Sequence, residues 1–413
     1  MTKVISNLRN AIAIAICLAA SATLFAQNVD VYVGGSDNGK ATVWKNGTPT
    51  VLSTNSGGVY SVVVDKGDVY AAGYENIPGS TAAKLWRNGV ALYTIPESGS
   101  SVYAYSVALA VVDGSANVYM AGTIGSTKGV IWKDGIAMGG YTDAKILYCV
   151  FTVVNGTTTE VYAAGKTTDN KAAVWKNGNR IYTLTSESDN NNAAWSVVVV
   201  GNDVYTAGYE AVGSNYISRV WRNNNVHYTL GGTNSPGNIS LYISNGDIYA
   251  AGNENISGKY VAKVWKNGSG TNLRDGTEDS WALSVFVSGS DVYAAGLVTS
   301  KASLWKNGEE TILSNNNGDA LSVFVVENGT GVEELTMENG ELRIYPNPTR
   351  GELIIENGEL RITRIEIVDL SGKVIYQFNG VKNQINVSAL SSGIYFLQLE
   401  TDKGCVTKKF IKE

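Results

Sequence analysis

The chain has 413 residues, 44% hydrophobic and 17% charged, with a net charge of −5. That length and apolar content suffice for two or three packed domains and exclude wholesale disorder. One histidine and three cysteines are too few for a zinc cluster, a disulfide framework or a histidine-based triad, and the acidic balance leaves no electrostatic footprint for nucleic acid.

Residues 1–26 read as a secretory signal peptide. Lys3 and Arg9 supply its positive end, residues 11–20 its apolar stretch, and Ala26 before Gln27 its cleavage site. The apolar stretch is too short to span a bilayer comfortably and no other segment qualifies, so no transmembrane segment is expected. Lipidation at Cys17 is the alternative reading of this segment.

A unit then repeats seven times. A Val-Tyr-Ala-Ala-Gly phrase places Tyr32, Tyr70, Tyr119, Tyr162, Tyr205, Tyr249 and Tyr293; a Trp-Lys-Asn-Gly phrase places Trp44, Trp86, Trp132, Trp175, Trp221, Trp265 and Trp305. The period of about 44 residues suits propeller blades. Each unit divides into four strands, in the second copy residues 61–64, 68–72, 83–86 and 91–94. Asn88-Gly89 between the last two is a type I′ hairpin signal. Val31-Tyr32 has no strand of the Ser-Val type before it, while Ser322-Val323-Phe324-Val325 has no Val-Tyr phrase after it. Two such halves make one whole. The expectation is an all-β protein with a seven-bladed β-propeller over residues 28–328, its blades four-stranded and one blade shared by both ends of the ring, followed by a linker over 329–343.

Turns after the first and third strands are short, and the loops after the second and fourth are longer and variable, so recognition is expected at the long-loop end. Three second-to-third loops open with Tyr74-Glu75, Tyr209-Glu210 and Asn253-Glu254. The glutamates are candidates to receive hydroxyls or a cation; alternatively each closes its own loop by accepting N–H bonds. Before the repeated serine stand Tyr60, Tyr105, Tyr148 (ahead of Cys149), Trp195, Ile239, Leu283 and Leu321, with Trp281 two residues before Leu283. Such aromatics stack on sugars or peptides, or pack between blades. The residues before each Val-Tyr or Ile-Tyr pair (Asp30, Asp68, Asn117, Glu160, Asp203, Asp247, Asp291) read as hairpin residues rather than ligands. His227 falls on an outermost strand without a ligand or triad partner. Cys149 and Cys405 read as unpaired, with a bridge between them as the alternative.

No metal site and no cofactor are expected. The composition favours a non-catalytic binding module for a glycan, peptide or protein. A carboxylate-dependent glycosidase or lyase and a surface scaffold without small ligand are the alternatives.

Residues 344–413 alternate in short strands, which predicts a small Ig-like β-sandwich. This segment carries Tyr345-Pro346-Asn347-Pro348, Gly351 with Leu353, Asp369-Leu370-Ser371-Gly372-Lys373-Val374, Leu390 with Gly393-Ile394-Tyr395, and Lys408-Lys409-Phe410-Ile411-Lys412. In these motifs and their order it resembles the type A C-terminal sorting domain of the Bacteroidetes type IX secretion system. The resemblance implies Sec-dependent export, engagement of the type IX machinery as partner, removal of the domain, and release or attachment to the outer surface through lipopolysaccharide. A heptapeptide, Glu-Asn-Gly-Glu-Leu-Arg-Ile, occurs at 338–344 and again at 356–362 and reads as a local duplication.

Overall fold

The computed structural model describes residues 29–186, 192–232, 239–327, 343–356, 361–369, 374–379, 383–401 and 404–413. The signal segment with Ala26 and Gln27, linker residues 329–342, and Gly372 of the sorting motif lie outside them, as does the side chain of Cys405. Every regular element among the described residues is a β-strand. The chain divides into two compact units, Asp30–Val326 and one that contains Glu327–Glu413.

Among the described residues the first unit holds seven four-stranded sheets. The second sheet is typical, with Gly57–Asp65, Asp68–Ile77, Ser80–Arg87 and Val90–Ile95 side by side in chain order. The first sheet differs. Its order is Gly318–Glu327, Val29–Asp37, Lys40–Lys45 and Thr48–Val51, so its first strand comes from the far end of the unit. The arrangement is propeller-like.

The repeated phrases explain themselves within each sheet. Asn88 and Gly89 both take positive φ (51° and 82°), the requirement of a type I′ turn that Asn and Gly meet at least cost. Asn88 also accepts the Val69 N–H at 2.8 Å and donates to Asp68 at 2.7 Å. The neighbouring Arg87 pairs with Asp68 and stands 5.5 Å from the Tyr70 ring centroid. The other sheets repeat this wiring. An Asn or Asp side chain accepts the corresponding N–H of Val31, Val118, Val161, Val204, Ile248 and Val292 at 2.8–3.0 Å. A Lys or Arg lies over Tyr32, Tyr119, Tyr162, Tyr205, Tyr249 and Tyr293. Asp30, Glu160, Asp203, Asp247 and Asp291 each pair with that cation at 2.5–2.8 Å, and hydrogen bonds from the cation hold Asp68, Asp203 and Asp247 below the usual carboxylate range. The repeat tryptophans are buried between sheets: Trp132 packs with Tyr70, Ala72 and Leu85 of the preceding sheet.

The second unit has a three-stranded sheet (Arg343–Tyr345, Glu352–Glu356, Gln384–Asn386) and a four-stranded one in the order Val374–Asn379, Ile362–Val368, Gly393–Thr401, Gly404–Lys412. The first of these strands begins at Arg343, inside the segment expected to be linker. Both sheets contribute to one core, including Leu353, Ile355, Ile365, Ile367, Leu397 and Phe410. The sorting motif is part of that architecture: Asn347 accepts the Ile411 N–H at 2.9 Å and donates to the Lys409 carbonyl at 3.1 Å. Tyr345 donates to Glu356 at 2.7 Å, and Tyr395 stacks on Phe410 with centroids 5.7 Å apart.

Candidate functional site

The site forms where the first strands of all seven sheets meet. In five of them the register slips by one residue against the second strand, between Val59 and Ser61, Ala104 and Ser106, Leu147 and Cys149, Ala194 and Ser196, and Ala282 and Ser284. The extra residues are Tyr60, Tyr105, Tyr148, Trp195 and Leu283. A bulge leaves its extra residue out of the ladder and re-aims its side chain. Here the side chains turn into a cavity of about 470 Å³, lined by these five with Ile239 and Leu321 and by the residue that follows each of the seven, six serines and Cys149.

Those serines knit neighbouring sheets together. Ser61 Oγ accepts the Val107 N–H of the next sheet, Ser106 that of Val150, Ser196 that of Leu241, Ser240 that of Val285, Ser284 that of Val323, and Ser322 that of Val62, all at 3.0–3.3 Å. The series returns to its starting sheet. At the odd position the Cys149 thiol points to the Val197 carbonyl at 3.9 Å, and burial raises its pKa, so it is a poor nucleophile. Among the described residues, the O–H groups of Ser61, Ser240, Ser284 and Ser322 have no chain acceptor.

One half of the cavity wall is a continuous aromatic arc. Tyr60 and Tyr105 have centroids 5.1 Å apart, Tyr105 and Tyr148 5.5 Å, and Tyr148 stacks on Trp195 at 3.8 Å. Tyr74 and Tyr103 extend it, lying 5.4 Å from Tyr60 and 6.0 Å from Tyr105. Burial pushes the Tyr60 and Tyr148 phenols well up and that of Tyr105 to about 12, so these three phenols stay uncharged at any physiological pH. The Trp195 indole N–H is buried without an acceptor among the described residues. The opposite wall is aliphatic, from Ile239, Leu283 and Leu321.

The sequence-derived candidates separate on this geometry. Tyr60, Tyr105, Tyr148 and Trp195 come together in the cavity wall, with Tyr74 against Tyr60. Trp281 packs on Tyr260 at 5.7 Å, and Tyr209 on Tyr216 at 5.6 Å. The segments opening with Tyr74-Glu75, Tyr209-Glu210 and Asn253-Glu254 are strands rather than long loops. They run through Asp68–Ile77, Asp203–Val212 and Asp247–Ile256, each closed by a two-residue turn. The physical reason is a cross-strand ion pair nine residues on. Glu75 meets Lys84 at 2.7 Å, Glu210 meets Arg219 at 3.3 Å, and Glu254 meets Lys263 while also accepting the Gly232 N–H at 2.6 Å. None of the three glutamates lines the cavity. The true long connections run from fourth to first strands.

Two charged groups near this end were not singled out in the sequence. Asp319, two residues ahead of Leu321, accepts both the N–H and the O–H of Ser36 on one oxygen at 2.8 Å, and burial raises its pKa. Lys166, opposite Ile146, is 6% exposed, and burial with the neighbouring Lys145 charge lowers it to about 8. His227 is exposed on an outermost strand, against Tyr205 and Tyr228. Among the described residues no group of three or more His, Cys, Asp or Glu could hold a metal ion, and no helix is long and apolar enough to cross a membrane.

Residues 343–413 match the family of secretion system C-terminal sorting domains. That domain directs export by the type IX secretion system to the cell surface or beyond, and the type IX machinery is its partner. No curated protein matches the chain. Solved structures similar to it include PorZ, an essential bacterial surface component of the type IX secretion system of Porphyromonas gingivalis. It shares 10% identity over 92% of this chain and 58% of its own, with a TM-score of 0.38. The extracellular domain of the putative hybrid two-component system BT4673 from B. thetaiotaomicron shares 10% identity over 92% and 72%, with a TM-score of 0.27. Drosophila Semaphorin 1a, extracellular domains 1–2, shares 10% over 86% of each chain, with a TM-score of 0.31.

Proposed function

We propose that residues 28–328 form a seven-bladed β-propeller, closed by the strand shared between its ends, that serves at or beyond the cell surface as a non-catalytic glycan-binding module, with residues 344–413 as an Ig-like sorting domain. The observation that carries this reading is the aromatic arc over a ring of hydroxyls. Stacked aromatic faces suit the apolar faces of sugar rings, and converging O–H groups suit their oxygens. The cavity of about 470 Å³ lies within the usual range of small-ligand sites. Its lining holds hydroxyls, one thiol and no carboxyl group, which supports holding a saccharide over hydrolysing it. The repeated phrases account for seven of the tryptophans and seven of the tyrosines, and the residue before each repeated serine or Cys149 varies from sheet to sheet between aromatic and aliphatic.

A glycan and peptide array probed with the exported chain tests the reading, followed by titration calorimetry on any hit. Trp195→Ala and Tyr105→Ala are expected to weaken binding tenfold or more, about 1.4 kcal/mol each, while Trp281→Ala leaves it within twofold. Capture of peptides alone, or binding indifferent to Trp195 and Tyr105, would overturn the glycan assignment.

A further inference from the structure

Two residues ahead of the cavity-lining Leu321 stands a carboxylate that lacks what three others of the unit have. Glu75, Glu210 and Glu254 each face a Lys or Arg on the adjacent strand. Among the described residues Asp319 pairs with no cation. Its Oδ1 is held by the backbone N–H and the hydroxyl of Ser36, both at 2.8 Å, its own backbone N–H also acts on the carboxylate, and among the described residues no other residue donates to Oδ2. The half-buried side chain sits beside the aromatic arc: its charge adds to the burial that raises the Tyr60 and Tyr74 phenols. Gly58, two residues ahead of Tyr60, leaves room for the Tyr74 ring, since a Cβ there would lie 3.1 Å from Tyr74 Cε1. Two fixed donors on one oxygen orient the carboxylate, and the other oxygen is left for a partner.

We propose that Asp319 is the cation-recognising group of the binding site and receives a protonated amine on the bound saccharide, with Tyr60 and Tyr74 flanking that amine. The inference rests on the glycan reading above and narrows it to amino sugars with a free amine. A half-buried carboxylate without a cation costs stability in the free protein, and a ligand ammonium supplies the missing charge. Aromatic faces next to it add cation–π attraction. A neutral acetamido sugar would leave the carboxylate as it is in the free protein, so the site distinguishes the two by charge.

The test compares oligomers of glucosamine with oligomers of N-acetylglucosamine by calorimetry at about pH 6, below the ordinary range of an amine. It uses the exported chain, Asp319→Asn and Trp195→Ala, with thermal unfolding confirming that each variant folds. Expected is preferential binding of the free-amine oligomer, lost tenfold or more in Asp319→Asn, with Trp195→Ala weakening both sugars. Equal binding of the two sugars, unchanged by Asp319→Asn, overturns the amine inference and leaves the glycan reading standing. A lysine tripeptide bound through Asp319 with no saccharide bound overturns the saccharide class. Binding of none of these probes overturns both.

Discussion

At the residue scale, a carboxylate's neighbours decide what it does. Asp68, Asp203 and Asp247 are partly exposed, paired and acid-shifted, and pairs near the surface are worth little each. Glu75 and Lys84 are only about one tenth exposed, so loss of either partner leaves a buried charge unmatched. Asp319 is shifted the other way by burial. For a carboxyl whose folded pKa lies above its unfolded value, ionisation opposes folding above that unfolded value, and the cost disappears once the pH falls below it. Asp319→Asn keeps an oxygen for both Ser36 donors and removes the charge. It is therefore expected to melt higher than the parent at pH 7, with the gain shrinking towards zero below about pH 4. Thermal unfolding across pH 3–8 measures this, and a variant less stable at pH 7 would refute the charge cost. Tyr60 and Tyr74, the titratable groups beside it, stay protonated throughout that range because their own pKa values are raised. Nothing local in the sequence marks Asp319: its hydrogen-bond partner Ser36 is 283 residues away. The glutamates, by contrast, carried a legible sign, since Lys84, Arg219 and Lys263 all stand nine residues after them.

At the scale of the element, the bulge links the repeat to the site. In the five slipped sheets the glycine of the Ala-Gly phrase is small because the slipped first strand drives a carbonyl against it, whereas in the unslipped sheet Gly252 faces the Ile239 side chain instead. A Cβ at Gly208 would lie 2.0 Å from the Ala193 carbonyl oxygen, and at Gly73, Gly122, Gly165 and Gly296 the same contact is 1.8–2.1 Å. Without the glycine the bulge cannot form, and without the bulge Trp195 cannot leave the ladder. Gly208→Ala is expected to cost about 3 kcal/mol, roughly 6–12 °C in Tm for a unit of this size, and to abolish glycan binding at temperatures where the protein is still folded. Gly139→Ala, with nothing within 4 Å of the added Cβ, serves as the control and is expected to change stability by less than about 0.5 kcal/mol. Thermal melts with calorimetry compare them. The hairpins were legible because Asn-Gly needs only its own backbone to make a turn. The lengths of the second and third strands were not, because Tyr, Asn and Glu at their ends read as loop until a cross-strand cation is paired with each glutamate.

At the scale of the whole molecule, the far strand of the first sheet carries the proposed closure. Ser36 bonds Asp319, Asp37 accepts from Ser314 at 2.6 Å, and Val62 reaches across to Ser322, so the two ends of the unit are joined within one sheet and to the next. Deletion of residues 318–325 is expected to leave two unpaired sheet edges and an opened cavity, giving unfolding or dimers by light scattering. A stable monomer with the parent's Tm would show that closure is not needed.

The sequence by itself determined the strand repeat, the hairpin chemistry and the address carried by residues 343–413, because each is written in residues that act on near neighbours. Only the tertiary structure decided which aromatics share a wall, which carboxylates are paired with a cation, and which one bonds Ser36 instead. Those outcomes depend on register slips and on contacts between residues up to 283 positions apart, and a one-dimensional repeat keeps no record of distances between its copies.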